Sequence, residues 1–345
     1  MVLTVYTLEQ SEQWDNIVRS FKHYDTYWLS GYVKTFQIHG DGDPLLFFYD
    51  SDGTRGINVV MKRDVAKDVR FSGKIETGKY FDFSTPYGYG GWLIEGENIE
   101  SLFLAYKEWI NENEIISEFV RFHPLIKNQE QVGGFYEVVQ LGKVVHMNLD
   151  TPDEIWKNLI SKNRNMIRKA KKKGVEIHHS RTPEIYEQFR RIYNATMDKD
   201  AADKYYYFST DFYHSICTDL SQNAIVFYAE IDGRIIAVAI MLMANGYMNY
   251  HLSGSKREYN SFAPSNLLLY EAAMWGCENG CRSLYLGGGV GSGEDSLFKF
   301  KRAFYRGDLN HFFIGKKIFD QKKYDELVNK RDNCNNNGYF PLYRS

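Results

Sequence analysis

The residues best suited to chemistry lie late in the chain, where the glycine-rich run LGGGVGSGED leads into SLFKFKRAF. Lys301 follows Phe300 in that segment. An ammonium on a short helix beside a glycine loop can stabilise negative charge developing on an oxygen, or hold a phosphate. The competing reading is a solvated helix lysine between Lys299 and Arg302, since exposure is the ordinary fate of Lys. Asp295 stands at the start of the same helix, where a carboxylate caps backbone N–H groups; handling a proton is its alternative role. Gly287 to Gly293 would give the backbone freedom beside such a site. A second glycine-rich stretch, PYGYGGW from Pro86 to Trp92, carries Tyr87 and Tyr89. It could cradle a diphosphate, or only turn the chain between a strand and a helix.

A further group is cationic. Arg164, Arg168 and Lys172 recur at four-residue spacing in KNRNMIRKAKKK, so they share one helix face. That face could grip an RNA backbone through its phosphates; a solvated surface explains the same pattern. No G-x-S-x-G elbow marks a serine nucleophile. The cysteines are Cys217, Cys277, Cys281 and Cys334. Cys277 and Cys281, four apart near the end of an apolar helix, lack a second pair at zinc-like spacing, so no metal is expected and the thiols read as buried and reduced.

The elements that must position these residues form two similar sets. PLLFFYD and GINVVMK flank Asp52-Gly53; AIVFYAE and RIIAVAIMLM flank Asp232-Gly233. Strand, Asp-Gly, strand is a hairpin signal. Each hairpin is followed by a strand, a long helix and another strand: Lys79–Phe83, Asn98–Asn113 and Glu118–His123, then Tyr247–Ser253, Pro264–Glu278 and Ser283–Leu286. The last helix is apolar nearly all round, which predicts burial, with Pro264 in its first turn and Gly280 at its exit. HFFIGKKIF reads as a closing strand. The expected fold class is α/β (α+β), as two units with mixed sheets: residues 1–143, residues 144–330, and a polar tail 331–345, loose or docked on the surface.

With 345 residues the chain has room for two domains. Its net charge of -2 argues against a global pull toward nucleic acid. Aromatic residues make up 16% of it, which points first to packing and second to a cleft lined by Tyr. No apolar stretch is long enough to cross a bilayer and no leader is evident, so a cytoplasmic location is expected.

In element order the second half resembles a GNAT (acyl-CoA N-acyltransferase-like) domain, and several phrases resemble the FemABX peptidoglycan-bridge transferases and their acetyltransferase-like relatives. These are KNRNMIRKAKKKGVEI, YNATMDKD with DKYYYFSTDFYHSI, and LGGGVGSGEDSLFKFKRAF; in the first half they are TYWLSGYVKTF and RFHPL. The likeness spans nearly the whole chain, without the coiled-coil arm of FemA-type members. It implies two tandem GNAT-like domains, acceptor side first and donor side second. It implies Lys301 and Phe300 at the reacting centre, and Lys34 on a nucleotide-linked acceptor. A basic acceptor-binding residue is implied near Lys199 and Lys204, next to Tyr206. Tyr250 is implied beside the acyl site, on the strand face opposite Tyr247 and Asn249.

The resemblance implies an acyl- or aminoacyltransferase that forms an amide on a cell-wall or surface-polysaccharide precursor, with aminoacyl-tRNA as donor. No tightly bound cofactor is expected. The segment GSKREYNSFAPSN lacks the glycines with which a GNAT loop holds CoA pyrophosphate at a helix start. Acetyl-CoA is therefore the second donor, acting on a sugar nucleotide or small amine, and a non-catalytic binder is the third reading. The partners implied are the precursor, tRNA and, at most, a peripheral membrane contact.

Overall fold

In the computed structural model the chain opens with β1 (Leu3–Tyr6), α1 (Ser11–Arg19), α2 (Ser30–His39) and a hairpin of β2 (Asp43–Ser51) and β3 (Thr54–Asp64). Between them Asp52 and Gly53 have φ of 51° and 73°. Both values are left-handed, the two-residue turn whose twist matches that of the strands. Then come β4 (Phe81–Ser84), β5 (Leu93–Glu95), α3 (Ile99–Glu112), β6 (Ile115–Arg121) and β7 (Glu137–Asn148). The second half holds α4 (Pro152–Asn158), α5 (Ser161–Lys172), β8 (Glu176–Ser180), α6 (Pro183–Lys199) and α7 (Thr210–Asp219). It continues through β9 (Ala224–Ile231), β10 (Arg234–Ala244), β11 (Tyr247–Ser255), α8 (Pro264–Glu278), β12 (Ser283–Gly287) and α9 (Ser296–Arg302). The chain closes with β13 (Asn310–Ile318) and α10 (Gln321–Asn329). The structure describes residues 2–331, 334 and 338–345.

Two units result: Met1–Leu141 with Phe312–Ser345, and Gly142–His311. In the first the strand order is β1-β2-β3-β4-β6-β13, with β5 added to β3. Only β4 and β6 run parallel, and α3 makes the crossover between them. In the second the order is β7-β12-β11-β10-β9-β8, with β11 and β12 the parallel pair joined by α8. Both sheets are thus mixed and share one plan, as the duplicated sequence pattern predicts. Asp232 and Gly233 repeat the first turn at φ 50° and 70°, and Asn245-Gly246 adds another at 47° and 78°.

The edge strands depart from the expected boundaries. HFFIGKKIF was expected to close the second domain, but β13 pairs with β6 of the first unit, Ile314 opposite Arg121 and Ile318 opposite Ser117. Conversely β7, which follows the first unit's β6, pairs with β12 in the second, Asn148 opposite Ser283. Each unit therefore completes its sheet with the strand that follows the other's crossover. The expected division at 330 is corrected to 311, and the segment after it belongs with residues 1–141.

The tail is also no loose end. Its Asn-rich part, 332–333 and 335–337, lies outside the described residues, but Tyr343 and Arg344 are buried in the first unit. Arg344 donates from Nε to Asp82 Oδ2 (2.7 Å) and from Nη2 to Asp82 Oδ1 (3.2 Å). Its Nη1 pairs with Asp68 (3.0 Å), and the Tyr343 hydroxyl donates to Asp82 (2.8 Å). Asp82 is fully buried and also accepts from Arg63 Nε (2.8 Å).

Much of the aromatic surplus is core. Phe103 stacks on Phe135 at 4.1 Å, and Phe47 meets Tyr106 and Trp109 edge-on at 5.0 and 4.7 Å. Within this core Glu118 is fully buried and accepts from Asn58 Nδ2 (2.9 Å), Tyr106 (3.1 Å) and Tyr136 (2.8 Å). Burial pushes its carboxyl up to about 7, although the three donors pull the other way. A carboxyl raised on folding holds its proton more tightly in the native state. Its contribution is therefore complete below the unfolded value and is lost as pH climbs through about 7. Wild type should lose on the order of 3 kcal/mol between pH 4.5 and 7.5 from this group. Glu118→Gln should flatten that slope in urea titrations at several pH values; an unchanged slope would refute the assignment.

Candidate functional site

In the second unit β11 and β12 share a parallel ladder over three residues only, Tyr247–Asn249 against Ser283–Tyr285. Beyond it β11 continues on β10 alone, while β12 shifts register and continues along β7, Gly287 opposite Val145. The two strands therefore part at their carboxyl ends. A wedge at that place in an open sheet, with strand backbone groups along both sides, suits an extended acyl carrier laid between the strands.

A bulge shapes one side. Ile240 pairs with Leu252 and Met241 with Tyr250, so His251 is the extra residue. Up to it, Met248 and Tyr250 pack on the core that includes Leu267, Leu268 and Ala272 of α8. After it the alternation reverses, and Gly254 lies against α6, where a Cβ would stand 2.9 Å from the Thr196 hydroxyl. Tyr250 thus faces α8, with its hydroxyl donating to Ser253 Oγ (2.6 Å). Burial raises its pKa. Burial also drives His251 down to about 3, so its ring is neutral at pH 7.

The other side is the glycine loop and α9. Lys301 is half-buried, and its Nζ donates to the Gly288 carbonyl (2.7 Å). Burial lowers its pKa to about 8, with the Asp295 charge opposing the shift. Two of its three N–H donors remain for a reacting oxygen. Gly287 has φ +84°, and a Cβ there would sit 3.3 Å from the ammonium, so glycine satisfies both the backbone and the space. Phe300 is half-buried and meets Phe304 edge-on at 5.4 Å.

Asp295 proves to be the helix cap. Oδ1 accepts from Phe298 N–H (2.8 Å) and Oδ2 from Val290 N–H (3.2 Å). The Phe298 bond, above all, holds its carboxyl below the ordinary range. With both oxygens committed it is a poor proton acceptor and a good tether for the glycine loop.

His146 on β7, not singled out in the sequence, lies opposite Tyr285 with its ring 5.1 Å from Tyr305. Asn310 Nδ2 donates to its Nδ1 (3.3 Å), which leaves Nε2 to donate to Asn148 (3.1 Å). Burial lowers its pKa, so it stays a neutral, fixed tautomer.

The cationic helix is partly structural. Arg168 covers Trp156 at 5.2 Å, Lys171 pairs with Glu271 (2.7 Å), and Arg164 donates to Ser161 (3.2 Å). Lys162, Lys169 and Lys172 are exposed. Lys199 ends α6 beside Asp200 (3.5 Å), and Lys204 and Tyr206 sit in a single helical turn capped by Asp203, all exposed. Residues 257–262 before α8 form a short 3-10 helix ending in Ala263 at φ +56°, a helix entry without glycine.

In the first unit Lys34 is exposed on α2, a helix otherwise mostly buried. The structure brings α2 to the PYGYGGW loop: Tyr32 donates to the Tyr87 carbonyl and Phe36 stacks on Tyr87 at 5.4 Å. The loop itself was expected to lie just ahead of a helix, as a phosphate loop would. Instead β5 and residues 96–98 intervene before α3. Gly90 N–H is used by Arg121 O, while Gly88 O, Gly90 O and Gly91 O accept from Arg121, Asn128 and Trp28. Gly88 at φ +93° lets the Tyr27 ring approach, within 2.5 Å of where a Cβ would be. Tyr89 is a core ring between Tyr27 (5.3 Å) and His123 (5.6 Å). Gly88 admits an aromatic ring and the Gly90 N–H is already spent, so the diphosphate cradle is set aside. His123 in turn donates from Nε2 to buried Asp25 (2.9 Å), because its Nδ1 accepts from the Ile126 and Leu125 N–H groups.

Among the described residues no helix is long and apolar enough to cross a membrane, and no cluster of His, Cys, Asp or Glu could hold a metal ion.

Residues 161–302, from α5 to α9, match the model of the acetyltransferase (GNAT) domain. No curated protein sequence matches the chain. Among solved structures it is similar to FemX, with a TM-score of 0.69 and 14% identity, over 94% of this chain and 99% of that one. It is also similar to the C-terminal domain of a putative lysylphosphatidylglycerol synthetase from Agrobacterium fabrum (0.56, 14%, 90% and 91%). A third similar structure is L-PGS from Bacillus licheniformis (0.50, 14%, 85% and 88%). By domain match the second unit carries an acetyltransferase (GNAT) domain, and by fold the chain is a tandem of two GNAT-like units similar to that of FemX.

Proposed function

We propose that the chain forms an amide by moving an aminoacyl group from aminoacyl-tRNA to an amine of a cell-wall or surface-polysaccharide precursor. The observation that carries this is the half-buried Lys301 ammonium at the mouth of the β11–β12 wedge. In the step, the amine nitrogen attacks the carbonyl carbon, the ester C–O bond breaks, and the proton shed by the nitrogen ends on the departing ribose oxygen, which leaves as the tRNA hydroxyl. Lys301 faces the oxygen that becomes negative, where a fixed cation in a water-poor site is most effective. Lys34, Lys199, Lys204 and Tyr206 are proposed to hold the acceptor. Arg164 and Arg168 are proposed to meet the phosphates of the donor. The name of the lysylphosphatidylglycerol synthetase relative also contains an aminoacyl product.

The acetyltransferase domain match favours a second reading, an N-acetyltransferase using acetyl-CoA on a sugar nucleotide or small amine. The entry to α8 speaks against it, because no glycine there lets backbone approach a pyrophosphate. Labelled aminoacyl-tRNA and labelled acetyl-CoA, each offered with UDP-MurNAc-pentapeptide, separate the two. Label transferred from tRNA is expected. Transfer from acetyl-CoA alone would establish the second reading, and a thermal shift with acetyl-CoA only would support it.

A further inference from the structure

We propose that the second unit holds a binding site for a nucleoside phosphate, in a cleft on the side of α9 away from Lys301. Helical spacing puts Phe298, Lys299, Arg302 and Ala303 on one flank of α9 and Lys301 on another. The first flank lines a cleft of about 540 Å³, and Lys301 is not part of its wall. That volume is in the range of small-ligand sites.

Chemistry divides the cleft into two parts. Ile160, Phe298, Leu309 and Tyr305 supply an apolar and aromatic surface. The Tyr305 ring is backed by His146, giving a held platform on which a base can stack. The polar part has four cations, Lys143, Lys299, Arg302 and Arg306, against one carboxylate, Glu294. Glu294 is already paired with Lys143 at 2.9 Å. Arg302 donates to the carbonyls of Tyr305 (2.7 Å), Gly307 (2.7 Å) and Arg306 (3.1 Å). It braces that loop, and no carboxylate cancels its charge. Lys299 and Arg306 are exposed and make no side-chain hydrogen bond or ion pair among the described residues. This surplus of positive charge, two arginines included, suits a phosphate, which carries up to two negative charges at neutral pH. The apolar surface suits the nucleoside attached to it.

The proposal does not rest on the transferase reading, since binding is measured without turnover. Adenosine 5′-monophosphate, adenosine, inorganic phosphate and a short single-stranded oligoribonucleotide would be titrated calorimetrically into the full chain. The same titrations would use the double variants Lys299→Glu/Arg306→Glu and Lys299→Gln/Arg306→Gln. The nucleotide should bind at least roughly 10-fold more tightly than adenosine or inorganic phosphate, and both variants should lose at least that factor. Their Tm without ligand should stay near wild type, because both positions are exposed. The glutamine pair serves if the charge reversal unfolds the chain. Tighter binding of the oligoribonucleotide, weakened by the same variants, assigns the phosphate to a nucleic-acid backbone; tighter binding of the mononucleotide assigns it to a free nucleotide. Absence of binding by both, affinity for adenosine or phosphate equal to that for the nucleotide, or affinity untouched in the variants would overturn the proposal.

Discussion

Lys301→Ala is expected to lower kcat for acyl transfer by roughly 10²–10³ while the chain stays folded, the scale on which removing one oxyanion donor acts. The donor's Kd should change little, because the ammonium is needed most when the carbonyl oxygen becomes negative. The pH profile gives a second, independent readout. Burial lowers Lys301 to about 8, so wild-type activity should fall as pH rises through that value and the ammonium loses its proton. Stability should move the opposite way. A lysine depressed on folding makes the native state less protonated than the unfolded chain, so stability rises with pH between about 8 and the unfolded value. Lys301→Arg keeps a cation that does not titrate in this range and should remove the alkaline fall, even if its rate is lower. Full turnover in the alanine variant, or the same alkaline limb in the arginine variant, would remove Lys301 from the reacting centre.

Arg344→Ala should destabilise the first unit by about 3–5 kcal/mol, the usual result of breaking one side of a buried ion pair. Asp82 explains why. Burial alone would raise its carboxyl, but Arg63 and Arg344 outweigh that and hold it below its ordinary value. A depressed carboxyl contributes stability at neutral pH that is lost as pH falls through its folded value, so the anchor should weaken in acid. Without Arg344 the charge keeps only Arg63 and the Tyr343 hydroxyl. Calorimetry should show a Tm lower by roughly 10 °C, and Asp82→Asn in the same background should recover part of the loss. An Arg344→Ala variant that melts with wild type would show the contact to be idle.

Local features were legible in the sequence; long-range ones were not. Asp52-Gly53 and Asp232-Gly233 were readable because the turn needs left-handed backbone that these residues accept. The limits of α8 were readable because Pro264 and Gly280 act on the backbone where they stand. By contrast β13 has the same apolar alternation whichever sheet it joins, and its partner β6 lies nearly two hundred residues earlier. Tyr343 and Arg344 looked like a polar tail because Asp82 is 261 and 262 residues away. PYGYGGW was ambiguous for a different reason. A glycine that admits a tyrosine ring and one that admits a phosphate have the same letter, and only the Tyr27 ring against Gly88 and the spent Gly90 N–H tell them apart. Asp295 carried both its readings in the sequence, and bonds from two backbone donors decide for the cap.

The trade of β7 and β13 bears on how the chain is made. On the ribosome the first sheet can lay down β1 to β6 early, yet the strand beside β6 is among the last to be synthesised. The nascent protein must therefore carry an unsealed sheet edge through translation of the entire intervening stretch, a window in which such edges invite misassembly. Proteolysis of stalled intermediates should be most informative there, since an early half released alone lacks the material to finish itself.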